Sequence, residues 1–477
     1  MTIPTFLWHD YETFGVHPRR DRPAQFAAIR TDAELREIGE PLMLYCQPAP
    51  DYLPDPQSCL ITGITPQHCL AHGIAEHAFA RTIEQAFSTP GTIGVGYNTI
   101  RFDDEVTRFM FWRNLIDPYA REWQNNCGRW DILDLVRTAY ALRPKGIEWP
   151  RHKDGRPSFK LQDLAAANGL AHESAHDALS DVRATIALAR LLRNCQPKLF
   201  DFCLALHKKD RVAEEIGWPR QRPFLHVTGM VPPEQGCIAL VWPLAQHPTN
   251  KNELIVWDLA HDPRILTALS ADEMRVRMLS KADTLPEGAT RLPIKTIHLN
   301  KSPIVIQNLK TLSSEKALLW QIDVPTAMRY AEFASAIPLP PSLWAQVFER
   351  PTQGSVDVEE DLYGGFLSNE DRRNLETLRA MSPEKLAAAS VSFDDPRVEE
   401  LVFRYRARNF PDTLDEADCE RWNLHRSERL FDGKAGVRTV EQLFDLIDEL
   451  SETVDDQAQG ILSELYDYAE MIAPERT

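Results

Sequence analysis

No apolar run in the 477-residue chain approaches the roughly 20 residues that span a bilayer. Paired cysteine spacing is also missing. The eight cysteines (46, 59, 69, 127, 195, 203, 237, 419) include no CxxC, which argues against a zinc ribbon or a disulfide framework and leaves reduced thiols as the expectation. Cys69, His72 and His77 are close in sequence but lack a second paired half, so no zinc site is expected there. The N-terminus MTIPTFLWHD has neither a basic n-region nor a small-residue cleavage site. A signal peptide is therefore not expected, and the expected compartment is the cytoplasm. Internal repeats and low-complexity tails are absent, so no solenoid is expected.

Positive charge is in short supply. Lys and Arg number 53 against 70 Asp and Glu, a net of −17, which is a poor balance for gripping a polyanion. The deficit is local, however. Residues 353–477 carry 14 cations against 30 acids, a net of −16, whereas residues 1–200 are at −2 and residues 201–352 at +1. Binding to nucleic acid depends on local potential, so the first two regions remain eligible. With 43% hydrophobic and 26% charged residues, the composition is that of a globular protein. The length calls for two or three domains.

Strand-like stretches come first: Thr5–Thr13, QFAAIRTD after Arg22-Pro23, Glu40–Gln47 and the short apolar run Thr92–Tyr97. Helical periodicity marks Ala75–Phe87, Asp103–Arg113, Trp130–Leu142 and Asp177–Leu192, the last with Val182, Ile186, Ala189 and Leu192 on one stripe. This predicts an α/β layer domain ending near residue 195. Short β-like runs follow at Pro223–Thr228, Cys237–Trp242, Asn252–Asp258 and Lys295–Leu299, the signature of a barrel or mixed β domain. From about 355 onward the pattern is helical, including Thr439–Leu450 and Asp456–Ile472. The expected domains are 1–195, 198–352 and 353–477.

Three places carry chemistry. Asp10 and Glu12 are two apart on a strand and share a face. Paired carboxylates are costly to bury without a cation, and Mg²⁺ favours such oxygen ligands. Solvated edge strands also carry such pairs, but the flanking Phe6, Leu7, Trp8 and Phe14 favour a central strand. Asp103 follows the apolar run TIGVGY at a strand end, where α/β sheets place active groups, although an Asp there also caps a helix. His176 precedes Asp177, a natural N-cap, and lies five residues before Asp181. A histidine beside a metal-bound carboxylate suits a general base, and a surface histidine beside a capping Asp is the plainer alternative.

In order, Asp10, Glu12, Asp103, His176 and Asp181 resemble the DEDDh 3′→5′ exonuclease superfamily. The stretches WHDYETFG (8–15), DRPAQFAAIRTD (21–32), LITGITPQ (60–67), GYNTIRFDDEVTR (96–108), RWDILDLVR (129–137) and YRARNFPDTL (405–414) resemble the bacterial exonuclease I family in particular. The resemblance implies an RNase H-like exonuclease domain with a mixed sheet and flanking helices, an SH3-like barrel and a C-terminal helical region, together enclosing a C-shaped channel for one strand. It implies four carboxylates holding two Mg²⁺ ions (Mn²⁺ as substitute), one activating water and the other stabilising the leaving 3′ oxygen, with His176 as general base. The implied activity is 3′→5′ degradation of single-stranded DNA to 5′-mononucleotides by a cytoplasmic monomer serving DNA repair and recombination. The implied partner is the single-strand DNA-binding protein through its acidic tail, which by charge should dock on the first two regions. No membrane is involved.

Strand binding needs cations for phosphates and aromatic faces for bases. Residues 108–137 interleave both, and Arg108, Tyr119, Trp123 and Arg137 are the expected DNA contacts. Glu12 and Lys160 are expected to touch the substrate; the family pattern has arginine at the latter position, so the bidentate fork is lost. Arg404, Arg406 and Arg408 either reach DNA or pair with nearby acids such as Glu399 and Glu400. Two other readings use the same residues: a DEDDh exoribonuclease, disfavoured by the 280 or so residues beyond the exonuclease domain, and a non-catalytic nucleic-acid-binding protein, which the presence of all five residues disfavours.

Overall fold

The structure is a computed structural model that describes residues 4–170, 177–349, 354 and 356–474. The chain divides into two compact units. One combines Met1–Gly128, His172–Arg183 and Gly354–Thr477; the other combines Arg129–Ala171 and Ala184–Gln353.

In the first unit, β1 (Thr5–Thr13), β2 (Pro23–Thr31), β3 (Leu42–Tyr45) and β4 (Thr92–Gly96) lie in the order β3-β2-β1-β4. β1 runs antiparallel to β2, with Asp10 opposite Ala27 and Glu12 opposite Gln25, and parallel to β4. Its near-continuous burial makes it the central strand that its aromatic flanks predict. Two helices, α1 (Glu76–Ser88) and α2 (Asp103–Arg113), cover this sheet. Phe79, Ile83 and Phe87 of α1 and Val106 and Met110 of α2 recur at helical spacing and pack on Leu7, Tyr11 and Phe26. α3 (Ala178–Cys195) begins in this unit and continues into the second, and its predicted stripe of Val182, Ile186, Ala189 and Leu192 is buried.

The acidic C-terminal segment packs within this first unit. It includes α4 (Pro396–Asn409), α5 (Glu416–Leu430), α6 (Val440–Ser451) and α7 (Asp456–Ile472). Leu443, Ile447, Leu462, Leu465 and Tyr468 bury against Tyr52, Leu53, Cys59 and Ile64. Phe109 and Trp112 of α2 meet Leu375, Leu378, Leu401 and Tyr405. The three arginines of α4 turn inward to acids, which decides between the two readings of that cluster. Arg404 donates to Glu400 and Asp357 at 2.7 and 2.9 Å. Arg408 donates to Asp51 at 2.9 and 2.7 Å and pairs with Glu359, and Arg406 pairs with Asp418. Burial alone would raise the Asp51 carboxyl, but Arg408, His425 and Arg429 hold it well below the usual range. A buried charge without such partners is strongly destabilising, which explains why cations collect in this acidic segment.

In the second unit, β6 (Phe224–Val227), β7 (Ile238–Gln246), β8 (Glu253–Asp258), β9 (Ile294–His298) and β10 (Ile304–Ile306) form an antiparallel sheet in the order β10-β6-β7-β8-β9. Three residues are too few to show alternation, so β10 escapes a sequence reading. The helix expected at Trp130–Leu142 begins later, at Ile132, because β5 (Gly128–Asp131) precedes it. Asp131 then caps the helix by accepting from the Leu133 N–H at 2.9 Å. No helix among the described residues is long and apolar enough to cross a membrane.

Candidate functional site

The site is built from β1 outward. Alternation turns Asp10 and Glu12 to one face. β4 flanks β1 only as far as Trp8 opposite Val95, so both carboxylates lie on the stretch that β4 no longer covers. Asp181 comes from the first turn of α3. Carboxylate oxygens of Asp10, Glu12 and Asp181 lie within 4.8 Å of one another, the only such group of three or more potential ligands among the described residues.

Asp103 opens α2 and turns toward the same strand, its Oδ1 accepting the Tyr11 N–H at 3.1 Å. The Tyr11 hydroxyl in turn accepts from Thr107 Oγ1, one turn along α2, at 3.1 Å. The turn into α2 is tight. A Cβ on Gly96 would lie 2.8 Å from the His9 carbonyl oxygen, and Asn98 takes φ of +65°, a left-handed conformation that Asn tolerates. The neighbouring Asp104 has a separate task. It holds Arg121 at 2.6 Å in a buried pair, with the guanidinium 4.5 Å above the Phe87 ring. Beside that pair, burial lowers the His9 imidazole to about 3, so it stays neutral.

Burial pushes the Asp10 carboxyl well above its usual range, and the charges of Asp103, Glu12, Asp181 and Asp177 push it further. Glu12 is raised to about 7, by burial first and then by Asp181 and Asp177. A divalent cation relieves this kind of charge crowding, and the all-carboxylate donor set suits a hard ion. The folded metal-free chain therefore holds more protons than the unfolded chain between the ordinary carboxylate range and about pH 7. Its stability should fall as pH rises through that window. Thermal unfolding in chelator is expected to give a lower Tm at pH 8 than at pH 6. Added Mg²⁺ should raise Tm more at pH 8, and no shift with Mg²⁺ at either pH would count against metal binding.

His176 lies outside the described residues. Asp177 caps α3 as expected, accepting from the Ser180 N–H at 3.1 Å. Among the strand-binding expectations, Trp123 is 65% exposed and offers a stacking face, and Tyr119 is partly buried. Arg108 is buried. Its guanidinium donates to Glu122 at 2.7 Å and to Glu105 at 2.8 Å, and it lies 5.3 Å from the Tyr119 ring. Those bonds give Arg108 a structural task that sequence reasoning missed. Lys160 and Arg137 belong to the second unit. Lys160 is exposed at the start of the helix Leu161–Ala167, and Arg137 pairs with Asp134 at 2.7 Å. The Cys69 thiol donates to the Ala24 carbonyl, and the His77 ring meets Asn409 at 3.0 Å.

Residues 7–189 match the family described as Exonuclease, residues 207–350 the Exonuclease I SH3-like domain, and residues 356–472 the Exonuclease I C-terminal domain. Exodeoxyribonuclease I of Escherichia coli is 44% identical over 475 residues, covering 98% of each chain. The exonuclease I structure from the moderate thermophile Methylocaldum szegediense superposes with a TM-score of 0.94 at 45% identity, over 98% of this chain and 100% of that one. A zinc-bound complex of Escherichia coli exonuclease I with single-stranded DNA superposes with a TM-score of 0.89 at 43% identity, over 98% and 99%. A complex of exonuclease I with the C-terminal peptide of single-strand DNA-binding protein gives 0.90 at 42% identity, over 99% and 100%.

Proposed function

The chain belongs to the exonuclease I family, and we propose on that basis that it degrades single-stranded DNA from the 3′ end with divalent metal ions held by Asp10, Glu12, Asp103 and Asp181. The observation that carries the metal site is the convergence of Asp10, Glu12 and Asp181 from two separate elements within 4.8 Å. Two ions, Mg²⁺ with Mn²⁺ as substitute, fit a donor set made wholly of carboxylates, and such ions polarise an attacking water and stabilise charge on the departing 3′ oxygen.

The chain's own groups do the remaining work. Tyr11 fixes Asp103 through its backbone N–H. Glu12 faces the terminal phosphodiester as well as the cluster. His176 takes the proton of the attacking water. Trp123 stacks on a base, Lys160 reaches a phosphate, and Tyr119 and Arg137 line the strand's path. We place the domains at 1–195, 198–352 and 353–477, with the matches at 7–189, 207–350 and 356–472 in support. The acidic tail of a single-strand DNA-binding protein is the protein partner. The cytoplasm is the compartment, and DNA repair and recombination the setting.

A digestion assay on single-stranded DNA, duplex DNA and RNA, each with Mg²⁺ or chelator, tests this reading. Mononucleotides are expected from single-stranded DNA with Mg²⁺. Equal digestion of RNA, or activity that survives chelation, would overturn it.

A further inference from the structure

Gln25 stands one strand away from the carboxylates and contributes no ligand, yet its side chain is 1% exposed and its amide is used at both ends. It is the register partner of Glu12 across the β1–β2 ladder, and directly opposed residues on neighbouring strands point to the same face. Its Nε2 donates to Asp177 Oδ1 at 3.4 Å and to the Tyr45 hydroxyl at 3.2 Å. Its Oε1 accepts the Ala178 N–H at 3.3 Å. Asp177 Oδ2 meanwhile accepts from the Ser180 N–H at 3.1 Å, so one carboxylate caps α3 with one oxygen and is tied to β2 with the other.

The geometry is a two-by-two match. Asp177, the cap, stands one turn before Asp181, its carbonyl accepting the Asp181 N–H at 3.1 Å. Opposite them stands the cross-strand pair of Gln25 and Glu12. Glu12 meets Asp181 within the cluster, and Gln25 meets Asp177 and Ala178 beside it. We propose that Gln25 is a positioning residue that seats the first turn of α3 on β2 and thereby sets Asp181 at ligand distance from Asp10 and Glu12. Two further consequences follow. The amide supplies a donor to Asp177, a carboxylate close enough to raise Asp10 and Glu12, and so engages it as a cap. Tyr45 of β3 holds the amide in the orientation that presents Nε2 to Asp177 and Oε1 to Ala178.

The inference rests on the metal reading above. Its test is Gln25→Met in the full chain, which keeps length and apolar stem and removes every amide bond. Three quantities are read: Mn²⁺ affinity by electron paramagnetic resonance without DNA, kcat and KM on an oligonucleotide, and oligonucleotide affinity without metal. Loss of the partners that orient metal ligands typically costs 10- to 100-fold in metal affinity or activity. Mn²⁺ affinity and kcat are each expected to fall by roughly that factor, with metal-free DNA affinity held within about 3-fold. Gln25→Asn keeps the amide but shortens the stem, and it is expected to give the same split with a smaller loss; it also serves if Gln25→Met does not fold.

A fall in Tm with Mn²⁺ affinity and kcat intact would overturn the proposal and leave Gln25 a fold residue. A fall in DNA affinity with kcat intact would overturn it in favour of a strand contact. An unaltered chain that binds no Mn²⁺ would sink the metal reading itself, whereas an unaltered chain matched by Gln25→Met would sink only this inference.

Discussion

Replacing Asp10 by alanine is expected to lower kcat by roughly 10³-fold or more while the chain stays folded. Loss of a ligand to a catalytic metal removes several kcal/mol of transition-state stabilisation. The fold should survive because the Asp10 carboxyl is a strained group in the metal-free chain, raised by burial and by the charges of Asp103, Glu12, Asp181 and Asp177. Removing it relieves repulsion, so the metal-free Tm of Asp10→Ala should equal or exceed that of the unaltered chain. Asp181→Ala should behave alike, since Asp181 is one of the three carboxylates that converge. Rates, Tm in chelator and Mn²⁺ binding on both variants check this. A folded Asp10→Ala chain with near-normal hydrolysis would remove the cluster from the mechanism.

His176→Ala is expected to lower kcat by about 10²- to 10⁴-fold, the usual contribution of a general base, with little change in DNA affinity. The loss should shrink as pH rises, because hydroxide then replaces the proton transfer that the imidazole performs. The measurement is kcat and oligonucleotide affinity from pH 6 to pH 10. Equal falls in rate and affinity at every pH would assign His176 to binding. Together the two variants separate metal holding from proton transfer: chelator should abolish the difference between Asp10→Ala and the unaltered chain but not restore either, while high pH should narrow the gap only for His176→Ala.

The parts of the site legible in the sequence were those whose local pattern carries a tertiary meaning. Carboxylates two apart in an aromatic strand have to face a common side, and β1 places Asp10 and Glu12 accordingly. Asp177 before an amphipathic stripe is a cap in either context, and it caps α3. Asp103 was ambiguous because an aspartate at a helix start can cap or reach outward, and only the neighbouring strand decides; here its Oδ1 takes the Tyr11 N–H. Arg108 carries a structural task that its neighbours in sequence do not announce: Glu105 and Glu122 close on it, and Glu122 lies 14 residues away, beyond any helical spacing. Gln25 left no signal, since a lone amide in a strand gains a role only when α3 arrives across 152 residues to meet it. The arginines of α4 are legible as a cluster and Glu400, four residues before Arg404, as one of its partners; the others come from residues 51, 357, 359 and 418. Burial of an acid far along the chain draws an arginine to it, and sequence proximity to Glu399 says nothing of that.

The most direct test of the account is the position of a bound ion. Crystals of the full chain soaked in Mn²⁺ and measured at the manganese absorption edge are expected to show an anomalous peak coordinated by Asp10, Glu12 and Asp181, and none there in Asp10→Ala. A Mn²⁺-saturated crystal with no peak among these three carboxylates would contradict the assignment.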